Sequence, residues 1–321
     1  MLSAYGAEGG ALTPIGNDAA AVRRAVWIDL VSPTREEEKL VEASIGVEVP
    51  TREEMREIEP SSRLYVENGS RFLTAVLVMK TDTGVPSVTA VTFILHGDAL
   101  VTVRYDDPKP FALYCARAAK PDSTGATGEA VLGGLLDTIV DRLADILEKV
   151  GDDLDALSRS VFAPDSDDHA RFYKEDMRAL GRRADLISKA RESLVSLARL
   201  LLFLTADIEG AAPVRTLQAD VRTMRRDVES LALHADYLTS KAQLLLDAVV
   251  GMVSIEQNNI IKIFAVLSVV LMPPTLVASI YGMNFKVMPE LDWSWGYPAA
   301  LAVMAFAGAL PYLYFKWKRW L

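Results

Sequence analysis

The sequence predicts an α+β membrane protein: a soluble α/β domain, then a long stalk helix that continues into the first of two C-terminal transmembrane helices. Three observations carry this. From Ile263 to Phe315 the only charged residues are Lys286, Glu290 and Asp292, although 24% of the 321-residue chain is charged. Four segments upstream are rich in valine, threonine and aromatics, as strands are. Directly before the apolar end, from Leu217 to Met252, lies an uninterrupted helical periodicity.

The apolar end divides into two runs, Ile263–Met283 and Tyr297–Phe315. Each is close to the roughly 20 residues that cross a bilayer as a helix. The short connector between them makes a hairpin. Lys262 precedes the first run, and Lys316, Lys318 and Arg319 follow the second. Lysine and arginine excess marks the cytoplasmic side, so both termini are expected in the cytoplasm and residues 284–296 outside. Trp293, Trp295 and Tyr297 at one end, and Tyr312, Tyr314, Trp317 and Trp320 at the other, match interfacial aromatic belts.

Two features exceed what an anchor needs. Pro273-Pro274 interrupts the first run, leaving the carbonyls of Val269 and Val270 without their helical donors. Such breaks are tolerated where a helix packs on protein or lines a cavity. A stripe of small or polar residues, Asn258, Ala265, Ser268, Met272, Thr275, Ser279 and Gly282, recurs in helical steps. Periodicity alone leaves two readings open, close helix packing and the lining of a pore.

Upstream, residues 1–20 are expected to be flexible, and 21–213 to form the soluble domain. AVWIDL, RFLTAVLVMK, VTAVTFILH and ALVTVRY read as strands, with turns at Asn68-Gly69 and His96-Gly97-Asp98. PTREEEKLVEASI and TREEMREIEP read as short helices that open with acidic residues. Long helices are expected over 129–163 and 167–208, with a break at Gly210–Pro213. The stalk, 214–262, carries Leu217, Val221, Met224, Val228, Leu231, Ala235, Leu238, Ala242, Leu245, Val249 and Met252 in a 4-3 alternation. No proline falls between Pro213 and Pro273, so one helix of about 100 Å is predicted at 1.5 Å per residue. Transmembrane helices over 263–283 and 297–315 and a basic tail, 316–321, complete the organisation.

Charge and motif content narrow the function. The net charge is −9. Residues 256–321 carry five basic and three acidic side chains, +2, which leaves −11 on the first 255. An acidic soluble part argues against a nucleic-acid partner, which wants a basic stripe. The single cysteine, Cys115, forms no internal disulfide and suits a reducing compartment. No Walker loop, G-x-G-x-x-G, H-E-x-x-H or paired C-x-x-C occurs, so the chain does not read as an enzyme. His96, His169 and His234 stand apart, and Asp152, Asp153, Asp155, Asp165, Asp167 and Asp168 read as solvated acids or as divalent-cation ligands.

At Tyr281-Gly282-Met283-Asn284-Phe285 the chain resembles the CorA family of magnesium and cobalt transporters. Met288-Pro289-Glu290-Leu291 resembles the family's outer loop, and Trp295-Gly296-Tyr297-Pro298 the start of its second helix. The resemblance is close from Ile255 onward and loose upstream, at Val26–Leu30, Ile58-Glu59 and Ser62-Arg63. It implies a homopentamer in the bacterial inner membrane, with a funnel-shaped cytosolic α/β/α domain. Transmembrane helix 1 would line the pore and transmembrane helix 2 form an outer ring.

Carried over residue by residue, the resemblance places Asn258, Ile261, Phe264, Ser268, Met272, Thr275 and Ser279 along the pore, and Gly282, Met283 and Asn284 at its outer selectivity filter. Ile261, Phe264 and Met272 would form an apolar constriction. Glu290 and Asp292 in the outer loop would concentrate cations. Asn284 would meet the metal through its hydration shell, which suits an ion that dehydrates reluctantly.

No cofactor is expected. The resemblance implies magnesium as substrate and intracellular regulator, with cobalt and nickel as further candidate ions; the residues of the cytosolic sensor stay unassigned. The competing readings are a zinc or nickel transporter of the same superfamily and a non-conducting, membrane-anchored cation sensor or scaffold.

Overall fold

The computed structural model describes residues 1–57, 59–82, 85–120, 127–162, 169–210, 215–284, 286, 288–289 and 292–318. It divides into two compact units, one of 1–164 and 175–246, the other of 165–174 and 247–321.

The first unit is built on a seven-stranded mixed sheet. Its strands are β1 (Leu2–Glu8), β2 (Ala11–Gly16), β3 (Trp27–Val31), β4 (Leu64–Glu67), β5 (Ser70–Met79), β6 (Ser87–His96) and β7 (Ala99–Arg104). They lie in the order β2-β1-β3-β7-β6-β5-β4. Only β3 and β7 run parallel; the other neighbours are antiparallel. Asn68-Gly69 and Gly97 take the positive φ angles that tight hairpin turns demand.

The N-terminus corrects the sequence reading. Residues 1–20, expected to be flexible, contain the hairpin β1–β2 and the start of α1 (Ala19–Arg24). The hairpin is held because Leu2, Ala4 and Leu12 alternate into the core and β1 pairs with β3. Asp18 caps α1 by accepting from Ala21 N at 2.7 Å. The helix read over TREEMREIEP is reduced to a single 3-10 turn, Glu54–Arg56, with α3 (Pro60–Arg63) after it. Pro60 cannot donate within a helix that approaches it from upstream.

The two faces of the sheet follow strand alternation. Ile28, Leu30, Phe72, Ile94, Val101 and Val103 pack toward α1 and α2 (Arg35–Ile45). Thr34 and Glu37 close a full capping box at the start of α2. On the other face Trp27 meets Tyr114 edge-on, and Phe93 stacks on Phe111, both from α4 (Lys109–Ala118). This α/β/α layering agrees with the predicted soluble domain.

On that second face the sheet carries one buried ion pair. Arg104 donates to Asp29 through Nε at 3.1 Å and Nη2 at 2.9 Å, and its guanidinium lies over the Phe111 ring. Thr102 Oγ1 donates to Asp29 at 2.7 Å and accepts from Trp27 Nε1 at 3.0 Å.

Helices α5 (Gly128–Val161), α6 (His169–Gly210) and α7 (Arg215–Tyr281) follow. At Gly128 a methyl group would stand 2.5 Å from the backbone of Ala99 and Leu100, so only glycine lets α5 begin this close to β7. The α7 seam is buried at Val221, Met224, Val228, Ala235, Leu238, Ala242, Leu245 and Val249, and half-buried at Leu231 and Met252. Lys241 reaches Asp155 of α5 at 2.6 Å, and Asp236 reaches Arg191 of α6 at 2.5 Å. The heptad pattern thus serves packing within one chain. Leu217 and the acids Asp165, Asp167 and Asp168 lie outside what is described.

Candidate functional site

The second unit holds the apolar part of α7 and α8 (Gly296–Trp317). Both helices contain a stretch long and apolar enough to cross a membrane, and almost no residue of those stretches is fully buried within the chain. Phe264, Leu267, Leu271, Leu276, Phe306 and Leu313 are all more than half exposed. So much apolar surface needs lipid or further protein to cover it.

On α7, Val266, Val270, Pro273, Pro274 and Val277 form the covered side. A methyl group at Gly308 of α8 would sit 3.4 Å from Pro274 Cγ and 3.5 Å from the Val270 carbonyl oxygen. Gly308 thus faces α7 where the prolines interrupt its hydrogen bonding. This accounts for the proline pair as a packing feature between the two helices.

Asn258, Ile261, Phe264, Ser268, Met272, Thr275 and Ser279 are all exposed. At 100° per residue, Ser268, Met272, Thr275 and Ser279 fall on the side of α7 away from Val266, Val270, Pro273 and Val277. The polar stripe is therefore not the α7–α8 contact. The Ser268 hydroxyl donates to the Phe264 carbonyl at 2.8 Å, and Thr275 donates to the Leu271 carbonyl at 2.8 Å. Each hydroxyl is held against its own helix, which reduces the cost of placing it in an apolar environment.

The helix ends where the resemblance puts its signature. Gly282 N bonds to the Ala278 carbonyl at 3.0 Å, Met283 N to that of Ile280 at 3.3 Å, and both residues are exposed. Asn284 is exposed and follows directly. Among the described residues the non-glycines with positive φ are Ser32, Asn68 and Lys80, so Asn284 is not a left-handed helix cap. Asp292 is exposed; Glu290, Phe285 and Leu291 lie outside the described residues. A cleft of about 420 Å³ opens between the end of α7 and the start of α8, lined in part by Tyr281, Gly282, Trp293 and Tyr297.

Carboxylates gather elsewhere, in the first unit. Burial, then the charges of Asp137, Asp145 and Asp227, push the Asp141 carboxyl above its ordinary range, with Arg117 opposing. Among the described residues no three histidine, cysteine or acidic side chains are grouped as a metal site would require.

A mixed α/β unit, joined through one helix to a hairpin of two membrane-length helices with a polar stripe facing away from its partner, defines a two-span integral membrane protein with a large extramembrane domain. The chain belongs to the CorA-like Mg2+ transporter family, whose family model matches residues 23–319. It is 37% identical to the magnesium transport protein CorA of Escherichia coli (strain K12) over 326 aligned residues, covering 100% of both chains. Among solved structures, the complete CorA magnesium transporter from Methanocaldococcus jannaschii superposes with a TM-score of 0.77 at 17% identity, over 100% of this chain and 99% of that one. The full-length CmaX protein superposes at 0.70 with 16% identity, over 99% and 97%.

Proposed function

We propose that the chain conducts hydrated divalent cations, magnesium foremost and cobalt with it, across the bacterial inner membrane as a homopentamer with both termini in the cytoplasm. The observation that carries this reading is the polar stripe of α7, turned away from α8 and ending at Gly282, Met283 and Asn284. The full-length identity to a magnesium transport protein supports it.

Copies of Asn284 arranged around an axis would present neutral amides to the water shell of the ion. Such a ring binds without the tenacity of a carboxylate site, as conduction requires. No acidic residue lies between Lys262 and Met283, so selection acts on the hydrated ion. Ile261, Phe264 and Met272 form the constriction. Intracellular magnesium closes the assembly by bridging carboxylates of neighbouring subunits, and can shift the equilibrium only by its differential affinity for the closed state.

The test is uptake by purified protein in liposomes, comparing magnesium, cobalt, nickel and zinc. Magnesium and cobalt flux is expected, with protease protection of the soluble domain rising as internal magnesium rises. Zinc flux without magnesium flux would transfer the chain to the zinc-transporting branch. Absence of any flux would leave a membrane-anchored scaffold.

A further inference from the structure

Two cavities of about 180 and 470 Å³ adjoin on the first unit and share Arg63, Val76 and Glu192 as walls. Arg52 and Arg56 line the first, and Arg191 and Arg199 the second. Five arginines and two acidic residues, Asp106 and Glu192, thus line the pair of cavities in a chain whose net charge is −9.

Three of the five have partners. Arg191 bridges to Asp236 of α7 at 2.5 Å, and Arg52 lies over the Tyr105 ring at 5.3 Å. Among the described residues no carboxylate comes within ion-pair distance of Arg56, Arg63 or Arg199. Arg63 is held in place by donating from Nε to the Glu57 carbonyl. Burial pushes its guanidinium pKa down; Glu192 opposes this and the like charge of Arg199 adds to it. Such a set of cations is costly to hold together unless an anion joins it.

The alternative occupant of this cleft is a peptide strand. Strand β4 pairs only with Ser70–Leu73, so β5 has an uncovered edge from Thr74 onward. A docking strand would need the amide of Val76, and that amide already donates to Ser196 Oγ of α6 at 2.9 Å. The edge is closed to augmentation while the arginines stay accessible, which favours a compact anion over a peptide.

We infer that this arginine-lined cleft between the turn at Glu54–Arg56, β5 and α6 binds a polyphosphate anion, either inorganic or the phosphate chain of a nucleotide. Guanidinium forks match phosphate oxygens in bidentate geometry, and several of them along one cleft match a chain of phosphates better than a single one. Recognition uses side chains, so the absence of a glycine-rich phosphate loop is no obstacle. The site is remote from the polar stripe of α7 in sequence and stands whether or not the chain conducts ions.

The test is calorimetric titration of the full-length protein in detergent, with divalent cations chelated. The probes are inorganic tripolyphosphate, ATP, orthophosphate and polyglutamate. Saturable binding of tripolyphosphate is expected, with orthophosphate far weaker and affinity falling as salt screens the charges. Equal binding of ATP would identify nucleotides as a source; failure of ATP beside tripolyphosphate would identify inorganic chains. Arg56→Gln and Arg199→Gln should each weaken binding about tenfold, as loss of one charge-assisted bond does. Arg23→Gln, on α1, should change nothing. The inference is overturned by ATP binding without tripolyphosphate binding, by preference for polyglutamate, by no saturable binding, or by affinities that ignore Arg56 and Arg199 in variants with unchanged melting temperature.

Discussion

Gly308 of α8 lies against Pro274 of α7, close enough that a single added methyl group would touch both the proline ring and the Val270 carbonyl. That carbonyl is the one Pro274 deprives of a helical donor. The two helices are therefore in contact at the break. Gly308→Ala should be tolerated, since its contacts would be ordinary ones. Gly308→Leu should cost about 1–3 kcal/mol by overpacking. Thermal unfolding in detergent reads the difference, and equal melting of the two variants would dismiss the contact.

Leu238 is buried on the α7 seam, and a methyl group at Gly151 of α5 would meet its Cδ2 at 3.6 Å. Leu238→Asp puts an unpaired carboxylate there, a loss of several kcal/mol or a rearrangement. Because the seam is covered by the same chain, the loss should show in the unfolding of the single chain. Unchanged unfolding of the variant would be the refuting result.

The Asp29–Arg104 pair should respond asymmetrically. Arg104→Ala leaves Asp29 buried and unpaired, and should destabilise the soluble unit by about 3–5 kcal/mol. Replacing both residues by apolar ones of similar volume should recover most of that loss. Denaturant unfolding of the single and double variants decides the matter.

Asp141 offers a pH prediction. Its folded-state pKa is raised, so the folded chain holds this proton more tightly than the unfolded chain does. The stabilisation from protonation is present below the ordinary carboxylate range and is lost as pH rises through the raised value. Asp141→Asn should therefore raise the melting temperature at neutral pH, with the gain disappearing in acid. A pH-independent gain would point away from charge repulsion.

Asn284 separates a filter from a structural role. Asn284→Asp should bind divalent cations more tightly and slow their release, lowering magnesium flux in liposomes. Asn284→Gly keeps the backbone free to turn but removes the amide, and should abolish selective flux. Full magnesium uptake by the glycine variant at normal expression would defeat the filter.

Much of this was readable from the chain. Strands β3, β5, β6 and β7 are dense in β-branched residues, and their burial on both faces leaves little room for ambiguity. Strands β1 and β2 were hidden because LSAYGAEGGALTP is rich in glycine and alanine; the pairing of β1 with β3, and of β2 with β1, supplies what propensity lacks. Helix α4 was hidden by Pro108 and Pro110, which sit at its start where proline is tolerated. The α7 stripe was legible because a bilayer makes every polar residue conspicuous. The arginine cleft was not, since Arg52, Arg56 and Arg63 meet Arg191 and Arg199 only once β5 and α6 pack together.

The hydroxyls of Ser268 and Thr275 have already given their hydrogens to the helix. What each offers outward is lone pairs alone. Water around a cation turns its oxygens inward and its hydrogens outward, so it finds partners on such a surface. Water around an anion spends one hydrogen on the ion and has at most one left to give, so it fits such a surface less well. In the proposed conduit, two uncharged side chains would thereby favour hydrated cations over hydrated anions through the orientation of their hydration water.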